Sequence, residues 1–111
     1  MLRPSAPRLA LVHSDQRGEL YSVILPGDRE LMVLYSKAGT LRGGHAHDVP
    51  EAIMLLDGRM RYHKLDVTGK EIVEELRAGD TSSNPAGQVH IGEFLEDTYL
   101  IEWKIGTSSG E

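Results

Sequence analysis

The sequence predicts an all-β, single-domain antiparallel sandwich or barrel. Short apolar runs recur along the whole chain, glycine and proline interrupt them at regular intervals, and no segment carries a convincing helical period. Pro4 and Pro7 mark residues 1–8 as an N-terminal arm. Leu9 to Val12 and Leu20 to Leu25 are apolar runs separated by the polar turn Asp15-Gln16-Arg17-Gly18. Pro26-Gly27-Asp28 turns the chain into Leu31 to Tyr35, a nearly continuous apolar run suited to a central strand. Ala52 to Leu56 is another, and Asp57-Gly58 after it is the dipeptide favoured in tight hairpins, because both positions tolerate positive φ. Arg59 to Leu65 alternates, with Met60 and Tyr62 on one face and Arg61 and His63 on the other. Thr68-Gly69-Lys70 returns the chain into Glu71 to Arg77. In the last strand Tyr99, Ile101, Trp103 and Ile105 alternate with Leu100, Glu102 and Lys104, which predicts Ile101 and Trp103 on the inward face. Residues 106–111 read as a small polar tail.

Composition limits the function classes. A chain of 111 residues is one domain, long enough to bury roughly two-thirds of its unfolded surface. It contains no cysteine, which excludes disulfides, thiolate metal sites and cysteine nucleophiles. A formal net charge of -5 argues against nucleic acid as a partner. The longest apolar runs fall far short of the ~20 residues that cross a bilayer, and the stretch after the basic start is too short for a signal-peptide core. The expectation is a cytoplasmic domain acting on a small molecule, with neither nucleic acid nor membrane as partner.

The most informative segment runs from Gly39 to Gly58. His45 and His47 stand one residue apart, so on an extended strand both imidazoles point to one side. Glu51 reaches the same point if Asp48, Val49 and Pro50 turn the chain into the next strand. Downstream, Gly79, Pro85, Gly87 and His90 supply a further imidazole with its own turn residues. Three imidazoles and one carboxylate around a divalent ion leave a site of net charge about +1.

These two clusters resemble the two motifs of the cupin superfamily. Gly39, His45, His47, Glu51 and Gly58 match the first motif at its spacing, and Gly79, Pro85, Gly87 and His90 match the second; Phe94 stands where the family usually has asparagine. The resemblance implies a double-stranded β-helix, the jelly-roll-like cupin barrel, over residues 1–111. It also implies one divalent transition metal ion (Fe, Mn, Ni, Co or Zn) held by His45, His47, Glu51 and His90. Two adjacent positions would stay open for water, dioxygen or a chelating substrate, consistent with a dioxygenase, isomerase or lyase. Arg42, Tyr35, Ile53, Met60, Tyr62, Phe94 and Trp103 are expected to line the substrate pocket, with Arg42 available to an anionic group. Small cupins commonly pair through N-terminal strands, so Leu9 to Val12 suggests a homodimer.

A second resemblance is functional. Asp15-Gln16-Arg17-Gly18 and Arg42-Gly43-Gly44-His45 look like the Asp-x-Arg-Gly and Arg-Gly-x-His segments of nucleotide-sugar epimerase and ketoisomerase cupins. There the histidine is a base and no metal is required, which would make His45 the base and Arg42 the holder of a phosphate or carboxylate. A third reading is a non-catalytic binding or sensor cupin. His13 and His63 read as structural histidines.

Overall fold

A computed structural model describes residues 8–105, the side chain of His45 excepted; the N-terminal arm to Pro7 and the tail from Gly106 lie outside the described residues. Among the described residues ten strands follow one another: β1 (Arg8–Asp15), β2 (Gly18–Leu25), β3 (Arg29–Ser36), β4 (Leu41–His45), β5 (Glu51–Asp57), β6 (Arg59–Leu65), β7 (Glu71–Arg77), β8 (Thr81–Asn84), β9 (His90–Phe94) and β10 (Thr98–Lys104). They build a six-stranded sheet, β1-β2-β3-β10-β5-β8, and a four-stranded sheet, β4-β9-β6-β7, with every pairing antiparallel. The core lies between the sheets and contains Ile53, Leu55, Met60, Tyr62, Leu76, Phe94 and Leu100.

Turn chemistry explains most of the connections. Between β2 and β3, Gly27 and Asp28 both take positive φ (83° and 58°), the mirror-turn geometry that matches the right-handed twist of the flanking strands. Between β6 and β7, the Asp66 carboxylate accepts hydrogen bonds from the backbone N–H groups of Thr68 and Lys70 and from the Thr68 hydroxyl. On the outer face of the small sheet, His63 bridges Glu93 on β9 (2.9 Å) and Glu71 on β7 (3.3 Å), tying three strands together.

Two expectations from the sequence are corrected. Asp57-Gly58 is not a hairpin turn, since β5 belongs to the large sheet and β6 to the small one. Gly58 is the corner at which the chain crosses between layers. Its φ is 101°, and a Cβ there would stand 2.4 Å from Thr98 Oγ1 and 2.5 Å from Asp97 O. Both the positive φ and the lack of space demand glycine. Gly58→Ala is expected to lower the denaturant midpoint by the equivalent of about 2 to 3 kcal/mol with an unchanged slope, since strain and overlap act together.

The parity of β10 is also the reverse of the expected one. Leu100 pairs opposite Leu55 and Glu102 opposite Ile53, so Thr98, Leu100 and Glu102 face inward. Ile101 and Trp103, opposite Met54 and Ala52, occupy the other face. The cause is an apolar outer surface on the large sheet, where Tyr21, Val33 and Ile101 align across β2, β3 and β10. The outer face of β10 is thus more apolar than the face that meets the core, which carries Thr98 and Glu102, and alternation read from apolar residues alone takes the wrong phase.

Candidate metal centre

β4 ends at His45, a bend at Asp48 and Val49 follows, and β5 begins at Glu51. Because β4 and β5 lie in different sheets, Glu51 approaches His47 from across the barrel and not from a neighbouring strand. His90 opens β9 and pairs with Lys64 on β6 and with His45 on β4. The bulge between Gly43 and His45 offsets this pairing, and Gly43, at φ 107°, lets the strands approach: a Cβ would stand 2.6 Å from His90 O.

The result is a cluster. His47, Glu51 and His90 each place one donor atom within 4.8 Å of the others. The rings of His47 and His90 are stacked, with centroids 5.7 Å apart. Glu51 is 4% exposed, and its Oε1 is buried without a hydrogen bond among the described residues, although His47 Nε2 stands 3.3 Å away. A buried carboxylate oxygen lacking a donor is costly unless a cation supplies its partner. Two nitrogens and a carboxylate oxygen suit a first-row divalent ion, and ligation at about 2.1 Å would draw these atoms to roughly 3 to 4 Å apart. The residues present fit such an ion. His45, the fourth expected ligand, has its backbone at the end of β4, but its side chain lies outside the described residues.

Around this cluster lies a cavity of about 330 Å³ whose walls include Arg17, Arg42, His47, Ile53, Met60, Tyr62, His90, Phe94 and Glu102. A wider cleft of about 750 Å³ also reaches His47, Glu51 and Glu102 and is edged by Trp103 and Lys104. Both openings are of the size that holds a small ligand.

Two charged features stand beside the cluster. At the mouth, Arg17 grips Asp15 through Nε and Nη2, the latter at 2.6 Å, and Arg42 comes within 4.0 Å of the same carboxylate. Hydrogen bonds from Arg17 and His13 hold the Asp15 carboxyl well below the usual range, so it stays ionised. Glu19 is a second carboxylate close enough to act on Arg42, so the two guanidiniums stand beside two acidic groups. Burial, followed by the nearby Arg17 charge, lowers the Arg42 guanidinium; it donates from Nε to Ser36 Oγ and from Nη2 to Tyr35 O. Deeper in, burial and then the neighbouring Glu51 charge push the Glu102 carboxyl up to about 7.

Solved structures place this architecture. CapF, a capsular polysaccharide assembling protein of Staphylococcus aureus, superposes with a TM-score of 0.74 at 23% identity over 90% of this chain and 29% of its own. Bacillus subtilis oxalate decarboxylase, solved in work on its Mn(II) centres, gives 0.77 at 22% identity over 89% of this chain and 28% of its own. The chain has the cupin fold. No family model matches the sequence, and comparison with curated proteins finds no match. The cupin domain spans under a third of the length of either solved relative.

Within the cupin barrel, Arg42, Ile53, Met60, Tyr62 and Phe94 line the inner cavity, whereas two expected pocket residues do not. Tyr35 lies on the outer face of the large sheet, its ring 4.7 Å from that of its cross-strand partner Tyr99. Trp103 edges only the wider cleft, as the reversed parity of β10 requires. Sequence reasoning missed Glu102, whose signal was a carboxylate in phase with Thr98 and Leu100. Lys64, 5% exposed, was also unforeseen; its ammonium is satisfied by Ser82 Oγ, Ser83 O and Glu74 Oε1.

Proposed function

We propose that this chain is a mononuclear-metal cupin that takes a small anionic, chelating molecule into its barrel and acts on it as a metal-dependent enzyme. The observation that carries the reading is the buried Glu51 Oε1, without a hydrogen bond among the described residues and clustered with the His47 and His90 imidazoles, which line a cavity that Arg17 and Arg42 also wall. His47, Glu51 and His90 would hold the ion, with His45 the fourth ligand implied by the motif. A bound divalent ion supplies Lewis-acid polarisation of a chelating oxygen, or a route for electrons where it is redox-active.

The protein's own residues do the rest. Arg42 and Arg17 draw in and orient a carboxylate or phosphate, with the planar donor geometry that suits both anions. Ile53, Met60, Phe94 and Leu100 exclude water from the inner wall. Glu102, poised near neutral pH, exchanges a proton with a substrate atom in the cavity, the condition under which a carboxyl serves as either acid or base. This favours an isomerase, lyase or dioxygenase over a silent binding module.

Metal analysis tests the reading. Protein purified without added metal should carry close to one first-row ion per chain, and a small dicarboxylate such as oxalate should perturb a Mn(II)-loaded sample by electron paramagnetic resonance. The second reading, a metal-free nucleotide-sugar epimerase or ketoisomerase, is favoured by the juxtaposition of Arg17 and Arg42 at one mouth. Turnover of a sugar nucleotide that survives complete chelation would establish it and displace the first.

We also propose that the protein is a two-fold homodimer joined through β1, an edge strand. Leu9, Leu11 and Val12 are 67%, 57% and 54% exposed, more apolar surface than a lone edge strand normally leaves uncovered. Light scattering at micromolar concentration should give twice the chain mass, and a monomer mass would refute the proposal.

A further inference from the structure

The cluster is backed by a buried polar relay whose members come from three strands. His90 Nδ1 lies 3.0 Å from Tyr62 Oη, and Asn84 Nδ2 donates to the same oxygen at 2.7 Å. Exposure is 7% at His90, 4% at Tyr62 and 3% at Asn84, so water does not substitute freely for any of these contacts. The Tyr62 ring meets His90 edge-on, with centroids 5.3 Å apart. Asn84 is the cross-strand partner of Glu51, which ties the relay to the carboxylate as well as to the imidazole. At its far end Asn84 Oδ1 is buried with no hydrogen-bond partner among the described residues.

We propose that Tyr62 and Asn84 are positioning residues that set which nitrogen of His90 carries its proton, and so switch His90 between a resting and a ligating form. The inference rests on the metal reading above for its purpose, but not for its geometry. A phenol has one proton to donate. With the Asn84 amide N–H directed at Tyr62 Oη, the phenol proton points to His90 Nδ1, and a neutral imidazole then carries its own proton on Nε2. With Nδ1 facing Tyr62, an ion would be taken at Nε2, and a protonated Nε2 has no lone pair to offer.

The opposite polarity uses the same atoms. An amide group is nearly isosteric when turned end for end. Turning Asn84 presents Oδ1 to the phenol, which gives the orphaned oxygen a donor. Tyr62 then donates to Asn84 and accepts from His90 Nδ1–H, and the Nε2 lone pair is released. Hydrogen bonds to the non-ligating nitrogen of a metal-bound histidine commonly alter metal affinity by 10- to 100-fold. Here the partner is a neutral hydroxyl governed by a neutral amide, so the polarity of the relay can reverse without burying a new charge.

Two variants and two readouts test this. Tyr62→Phe keeps the ring and removes the hydroxyl. Asn84→Leu keeps the hydroxyl but removes its only alternative acceptor in the relay, forcing the phenol proton toward His90. Nitrogen-15 NMR of the histidine side chains reads the tautomer directly, with and without Zn(II). Wild-type His90 should be protonated on Nε2 without metal and on Nδ1 with Zn(II). Metal-free Asn84→Leu should remain protonated on Nε2, and metal-free Tyr62→Phe should show a mixture of the two tautomers. Both variants should bind Zn(II) about 10- to 100-fold more weakly, with Tyr62→Phe still folding cooperatively without metal. A wild type already protonated on Nδ1 without metal, or variants with unchanged tautomer and affinity, would overturn the proposal. If the wild type binds no ion, the metal reading fails by itself, and the metal-free tautomers of the three proteins still decide this one.

Discussion

Glu51→Gln should stabilise the protein without metal and destabilise it, relative to wild type, with metal. In wild type the carboxylate is buried, and one of its oxygens lacks a hydrogen-bond donor among the described residues. A charged acceptor short of a hydrogen bond, with only His47 Nε2 at 3.3 Å beside it, costs on the order of 1 to 3 kcal/mol. Glutamine has nearly the same shape and removes the charge, so the melting temperature of the chelated variant should rise by several degrees. Addition of Mn(II) at 100 times its dissociation constant should raise wild-type stability by about 2.7 kcal/mol. The variant, lacking its anionic ligand, should gain little. The two proteins therefore exchange rank between chelator and metal. Thermal melts in both conditions read this, and a purely structural Glu51 would instead leave the variant weaker in each.

The second large effect belongs to Glu102. Its carboxyl is raised from the ordinary value of 4.5 to about 7, first by burial and next by Glu51, with Lys104 opposing. A group that holds its proton more tightly in the folded chain contributes stability that is complete below pH 4.5 and is lost as pH rises through about 7. The displacement corresponds to a loss of about 3 kcal/mol across that window in metal-free protein. Glu102→Gln should abolish most of this slope and be the more stable protein at pH 8. If Glu102 also moves the substrate proton, the variant should lose the corresponding limb of the pH–rate profile while keeping its metal. Parallel stability curves for wild type and variant between pH 4 and 8 would show that Glu102 is not the group responsible.

Much of the molecule is legible in its sequence. Gly27-Asp28, Gly69 and the alternation of Met60 and Tyr62 with Arg61 and His63 specify hairpins and faces through local chemistry alone, and the structure keeps them. Glu51 and His90 are foreseeable because turn residues frame them at a motif's spacing. Other features depend on contacts that no local window contains. Whether Asp57-Gly58 makes a hairpin or a corner is decided by the sheet that β6 joins, and that by packing across the core. The phase of β10 is misread because its outer face, Tyr99, Ile101 and Trp103, is more apolar than its inner one, and the error conceals Glu102 while placing Trp103 inside. Arg17 approaches Arg42 only because Asp15, at the β1–β2 turn, draws both. Inward Lys64 breaks the rule that strand lysines point to water, and its compensation by Glu74, Ser82 and Ser83 lies on β7 and β8.

The measurement that bears most directly on the metal centre is calorimetric titration of Mn(II) into the chelator-stripped protein, run beside His47→Ala and His90→Ala. One ion per wild-type chain is expected, with affinity reduced at least 100-fold in each variant while far-ultraviolet circular dichroism keeps its strand signature. Wild type that takes up no ion, or variants that bind it as tightly as wild type, would contradict a centre built on His47, Glu51 and His90.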